Sequence, residues 1–263
     1  VSGNIIDLPI GIDQWEPKNA GTVNAPWYAG IESMTTDTEF EPELNGLVYR
    51  LLNRSNLVNL GSTSGLSGSV NDTPYYLDDV WTGRNDSKIE AVAHFSLEVT
   101  DATFRSLYEL NGIDGNNGRV RIAKTSGNPN SDLARYRGPG AVGNPWNNTH
   151  LITYRNRAIS TFDEGNKIDV VAHEYTHGIA ETGFWIQGNG IQSDAMHEAF
   201  SDIMGKMIEW TYENTELGIP YPTEFLPDDQ DNVARWTVGS GLVNFPLRNI
   251  ADASLDQSWI KIG

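Results

Sequence analysis

The chain has 263 residues, enough to bury a sizeable core in one large domain or two modest ones. Its 18 Lys+Arg against 35 Asp+Glu give a formal charge of −17, which repels a phosphate backbone and an anionic membrane surface, so neither nucleic acid nor membrane is expected as a partner. Cys is absent, which excludes disulfides and thiolate metal ligands and leaves only His and carboxylate side chains to hold a transition metal.

The opening stretch, "VSGNIIDLPIGIDQW", lacks the charged and apolar regions of a signal peptide, and no apolar run is long enough to span a bilayer. The start reads as already processed. Up to about residue 160, runs such as "GLVYRLL", "RVRIA" and "HLITY" alternate with Gly, Asn, Ser and Pro clusters, the marks of strands and turns. One exception is "SKIEAVAHFSLEVTDATFRSLYELNG", where Ile89, Val92, Phe95, Val99 and Ala102 recur at helical spacing and Asn111-Gly112 offers a stop.

After Lys167 two more helices are expected: Ile168 to about Thr182, and Asp194 to about Asn214. The second has Ser193 as N-cap and Met196, Phe200, Ile203, Met204 and Met207 facing inward. A Gly- and Gln-rich loop joins them. From Thr215 onward no period is sustained, a texture that reads as a domain cut short. No internal repeat or low-complexity tract is present. The expected organisation is therefore α+β: a β-rich N-terminal lobe over 1–160 with one long helix, then a helical lobe over 161–263.

The chemistry concentrates in "VVAHEYTHG". With about 3.6 residues per turn, His173 and His177 project from one helix face a turn apart, placing both imidazoles within reach of one metal ion, with Glu174 just off that face. A catalytic zinc takes three protein ligands and keeps a fourth position for water, so Glu174 is free to receive the water's proton and a third ligand is required. The following helix carries "SDAMHEAFSD", in which Glu198 offers a carboxylate and Asp202 lies one turn on, suited to fix the tautomer of a ligating imidazole. His197 competes with Glu198 as third ligand, but the two differ by about a hundred degrees around the helix, so only one faces the metal. The competing interpretation is two coincidental histidines and a solvated acidic stripe. His94 reads as a packed interior residue and His150 as strand decoration.

"IDVVAHEYTHG" followed by "HEAFSD" closely resembles the thermolysin family of zinc metallopeptidases, with "GIDGNNGRVRIA" and "GNPWNNTHLITY" upstream in the family's order. The resemblance implies a zinc helix at the floor of a cleft between the lobes, with His173, His177 and Glu198 as zinc ligands. It also implies Glu174 as general base and Asp202 as partner of His173. Asn144 and Pro145 resemble the family's edge-strand residues that pair with substrate backbone. Val170, Leu247 and Arg248 fit positions that shape the apolar pocket and grip a substrate carbonyl. Asp169 and Glu209 match two carboxylates that help hold calcium, with Glu216 and Glu224 as helpers.

Three departures accompany the resemblance. The interval between His177 and Glu198 is about one residue longer than is typical of the family. The family's oxyanion-donating tyrosine aligns with Ile186, leaving only the Trp185 indole nearby, and no His follows His197 to serve as the family's second oxyanion donor. The expected activity is a secreted zinc endopeptidase acting on peptide or protein substrates, cutting before an apolar residue. Two alternatives stay open: a second chain supplies the remaining C-terminal half, or the chain is a zinc-binding scaffold without activity.

Overall fold

The short β-rich runs of the first half assemble into two sheets in the computed structural model. It describes residues 88–125, 134–145, 148–155, 167–184, 191–239 and 248–251 and, as backbone, six strands before them. These are β1 (Asn19–Ala25), β2 (Gly30–Glu41), β3 (Gly46–Arg50), β4 (Leu52–Asn53), β5 (Leu60–Thr63) and β6 (Tyr75–Tyr76). One antiparallel sheet runs β1-β2-β3-β6. With β7 (Val120–Thr125), β8 (Ala134–Arg137) and β9 (His150–Arg155), the second sheet runs β4-β5-β7-β9-β8. Its centre, β5, β7 and β9, is parallel, and antiparallel β8 forms one edge. Parallel neighbours need a crossover, and helix α1 (Lys88–Tyr108) lies within the connection from β5 to β7.

Helix α1 is buried on every side between Ala91 and Asp101, so it is a central helix rather than an amphipathic surface one. It stops two residues before Asn111-Gly112, because Glu109 turns into the left-handed region (φ 55°) and the Leu110 N–H reaches back to the Phe104 carbonyl at 3.3 Å. Gly112, with φ 74°, then turns the chain.

Helix α2 (Ile168–Ile179) sends Ile168, Val171, Ala172, Tyr175 and Ile179 into the same core as α1. The Tyr175 ring stacks on Phe104 at 5.5 Å and its hydroxyl donates to Asp101 Oδ1 at 2.5 Å, while Arg105 holds the other Asp101 oxygen. The helix runs on into a wider π turn over Ala180–Phe184.

Helix α3 (Ile191–Leu217) begins earlier than the sequence pattern suggests, so Ser193 lies inside it and does not cap it. Its orientation also differs from the expected one. Met204 is buried and Phe200 packs on the core, but Met196, Ile203 and Met207 are 60, 46 and 41 % exposed. The face turned inward carries Ser201, Asp202, Gly205, Lys206 and Glu209, because polar partners on α2 and the chain beyond satisfy these groups and hydrophobicity alone does not set the rotation. Helix α4 (Gln230–Arg235), capped by Asp229, leads into β10 (Thr237–Val238), which pairs with β11 (Arg248–Asn249) and fixes Arg248 opposite Val238. Among the described residues no helix is long and apolar enough to cross a membrane.

Gly205 sets the spacing of α2 and α3. A Cβ there would lie 2.5 Å from the Asp169 carbonyl oxygen, a backbone atom that cannot step aside without moving the helix. Gly205→Ala should therefore destabilise the chain by about 1–3 kcal/mol despite the ~1 kcal/mol that alanine gains in helix propensity. A denaturant midpoint equal to or above that of the parent chain would show that the helices are not in contact here.

Candidate metal centre

The spacing of His173 and His177 on α2 brings their rings edge to face, with centroids 4.7 Å apart. Their Nε2 atoms stand 3.0 Å from each other, and each lies 3.4 Å from a carboxylate oxygen of Glu198 on α3. Two nitrogens and an oxygen thus converge on one point, all within 4.8 Å of one another. Ligands on a tetrahedron with zinc-like bonds of about 2.0–2.1 Å stand about 3.3–3.4 Å apart, so the set fits that metal. His197 is outside this group, its ring 6.4 Å from that of His177.

Behind the three ligand candidates, Asp202 Oδ1 contacts His173 Nδ1 at 2.8 Å, which leaves Nε2 aimed at the cluster. Arg248 bridges Asp202 at 2.6 Å and Glu198 at 2.9 Å, tying both carboxylates to β11. Burial alone would push His173 down, but hydrogen bonds to Asp202 and Glu198 raise it to about 9. Burial and the His173 charge lower His177 to about 4. Glu198 is lowered to about 2: burial opposes its charge, and the hydrogen bond and charge of His173 outweigh that. At neutral pH Glu198 is therefore ionised and His177 neutral, while His173 holds a proton that a metal ion would displace on binding.

Glu174 is 7 % exposed and is not part of the ligand set, its Oε2 accepting the Tyr136 N–H at 2.7 Å. Burial raises its pKa to about 6, with the His173 charge and that N–H acting against the rise. Tyr136 sits in edge strand β8, so the tether links the helix to the sheet.

Asn144 and Pro145, aligned by the resemblance with substrate-pairing residues of an edge strand, do not themselves lie in a strand. The edge strand is β8, and Asn144 lies in the loop after it, buried, with its amide donating to the Gly138 and Thr149 carbonyls at 2.9 and 2.7 Å. Pro145 is an exposed bend residue. "ARYR" was overlooked because four residues with two arginines carry a weak strand signal; the turn residues "GPG" after it were the available cue.

Val170 is 2 % exposed within α2. Leu247, Trp185 and Ile186 fall outside the described residues. His94 is fully buried beside Glu98, as expected; His150 stands on a strand, as expected, at the start of β9, but it is buried there at 3 % exposure, with Nδ1 2.8 Å from the Tyr136 hydroxyl. Asp169 and Glu209 are buried close together, but with the Lys206 ammonium between them. Glu216 and Glu224 are exposed. Lys206 and Tyr136 are the site residues that the sequence did not single out.

Residues 28–181, more than half of the chain, match the family described as thermolysin metallopeptidase, catalytic domain. Bacillolysin of Bacillus cereus is 25 % identical over 175 residues, covering 59 % of this chain and 30 % of that protein. Bacillolysin of Brevibacillus brevis is 28 % identical over 133 residues, covering 50 % and 22 %. The chain thus spans less than a third of the length of these relatives. Among solved structures, the precursor of protealysin, a metalloproteinase from Serratia proteamaculans, superposes with a TM-score of 0.42 at 17 % identity over 61 % of this chain and 46 % of that one.

If Asp202 orients His173, Asp202→Asn should weaken zinc binding by about 10–100-fold. Competition with a chromogenic chelator measures this, and an unchanged affinity would remove Asp202 from the metal centre.

Proposed function

Because the chain belongs to the thermolysin metallopeptidase family, we propose that it is the metal-binding part of a zinc endopeptidase, with His173, His177 and Glu198 holding zinc and Glu174 as general base. The observation that carries this is the convergence of three ligand atoms beside a buried carboxylate that ligates nothing in the cluster. Zinc in such a site supplies Lewis acidity, polarising the scissile carbonyl and bringing the pKa of water down to about 7.

The chain's own residues do the rest. Glu174, with a pKa near 6, is matched to taking a proton from the attacking water near neutral pH and handing it to the leaving amine. The Tyr136 N–H holds that carboxylate in place through Oε2. Asp202 keeps the His173 tautomer, and Arg248 keeps Asp202 and Glu198 from drifting apart. An extended peptide is suited to line up along edge strand β8, whose backbone already reaches the base; a substrate role for Asn144 and Pro145 rests on the family resemblance. A preference for an apolar residue after the scissile bond rests on the family resemblance of Val170, Leu247 and Arg248. So does an extracellular setting.

The exposed stripe of Met196, Ile203 and Met207 on α3 favours a companion segment, in the same or a second chain, as part of the active protein. Oxyanion donors beyond this chain's histidines would come with it. The reading of an inactive scaffold is opposed by the presence of Glu174 next to His173, since a pure scaffold has no need of a base beside the metal.

The test is peptide cleavage by the zinc-loaded protein, with and without chelator, for the parent and Glu174→Gln. The variant should keep its zinc and lose at least ~10²-fold in turnover. Chelator-sensitive cleavage that survives the substitution would exclude Glu174 as the base, and zinc-loaded protein without any cleavage would support the scaffold.

A further inference from the structure

The family resemblance implies calcium at Asp169 and Glu209, and the side chains around these two carboxylates do not fit it. Calcium takes about six to eight oxygen ligands at about 2.3–2.6 Å. Here each of the four carboxylate oxygens already has a donor within the chain. Asp169 Oδ1 accepts the Val170 N–H at 2.9 Å, and Oδ2 accepts the Gly239 N–H at 2.7 Å and faces Lys206 Nζ at 3.4 Å. Glu209 Oε1 faces Lys167 Nζ at 3.5 Å, and Oε2 is bound closely by Lys206 Nζ.

Two cations thus meet two anions, and all four side chains are at most 7 % exposed. Burial would lower the Lys206 pKa, but Glu209 and Asp169 hold it above the usual lysine range, so the ammonium stays charged. A calcium ion entering this space would have to expel a charged, covalently attached competitor from the carboxylates it needs.

We propose that the Lys206 ammonium is a built-in replacement for calcium, fastening the first turn of α2 to α3 through Asp169 and Glu209 without any bound ion. The fastening is then independent of calcium concentration. It sits one turn before His173, so it also sets how α2 presents its histidines to Glu198.

Thermal denaturation of the full chain, stripped of metal and reloaded with zinc, tests this. Calcium is titrated to about 10 mM, above the ~10⁻⁴–10⁻³ M affinities of extracellular calcium modules, against magnesium at equal ionic strength. The midpoint should move no more with calcium than with magnesium. A saturable calcium-specific rise that disappears in Asp169→Asn would overturn the proposal, and one that persists in Asp169→Asn places calcium elsewhere and leaves Lys206 as the cation here. Lys206→Ala should lower the midpoint by roughly 10 °C and recover part of the loss in calcium, because it uncovers two buried carboxylates. A variant as stable as the parent in the absence of calcium would equally overturn the assignment. Should Lys206→Ala fail to fold, the titration of the parent chain decides alone.

Discussion

The chemistry of this chain depends on the contact between Gly205 of α3 and the backbone of Asp169 in α2. With no side chain at that point, the two helices approach until their flanking residues meet directly. On one side Asp202 and Glu198 reach His173 and His177; on the other Lys206 and Glu209 reach Asp169. Both clusters are products of one short interhelical distance. A wider spacing would lengthen contacts of 2.8 to 3.4 Å that have little distance to lose before they cease to be hydrogen bonds.

Close packing of polar faces has an electrostatic cost, and the chain offsets it with its scarce cations. Only 18 Lys+Arg accompany 35 Asp+Glu, yet Arg105, Lys167, Lys206 and Arg248 each face a buried or half-buried carboxylate. An unpaired buried carboxylate would have to take up a proton or leave the interior, since the desolvation cost of an isolated charge is several kcal/mol or more. Asp169 and Asp202 avoid this by holding several donors each.

How much of this was legible in the sequence follows from the range of each interaction. The pairing of His173 with His177 is a matter of one helical turn, and the presence of a long helix at α1 follows from local periodicity, whereas its burial on every side does not. Glu198 and Asp202 were legible because their mutual spacing is also one turn, although their distance from His173 in the chain hid which of Glu198 and His197 would face it. The rotation of α3 was not legible: Met196, Ile203 and Met207 form a regular apolar stripe, and only tertiary partners for Asp202 and Lys206 turn that stripe outward. Strand β8 was missed for a similar reason, since its pairing with β9 and its bond to Glu174 are set by the sheet and not by "ARYR" itself. Lys206 reads as an ordinary surface lysine until Asp169, 37 residues away, is brought against it.

The tether between β8 and α2 joins the position of the proposed base to the strand proposed to pair with substrate. Because the donor is the backbone N–H of Tyr136, it is indifferent to the side chain there and follows only the placement of the strand. A peptide that pairs with β8 would therefore be registered against the same backbone that locates the Glu174 carboxylate. Two opposing effects then set its basicity. Burial alone would carry the group further from its ordinary range than about 6, and the N–H and the neighbouring His173 charge draw it back. Removing the tether would leave the carboxylate more basic but less well placed, and for proton transfer in a constrained site placement dominates, because hydrogen-bond reach is needed before a matched pKa has any effect.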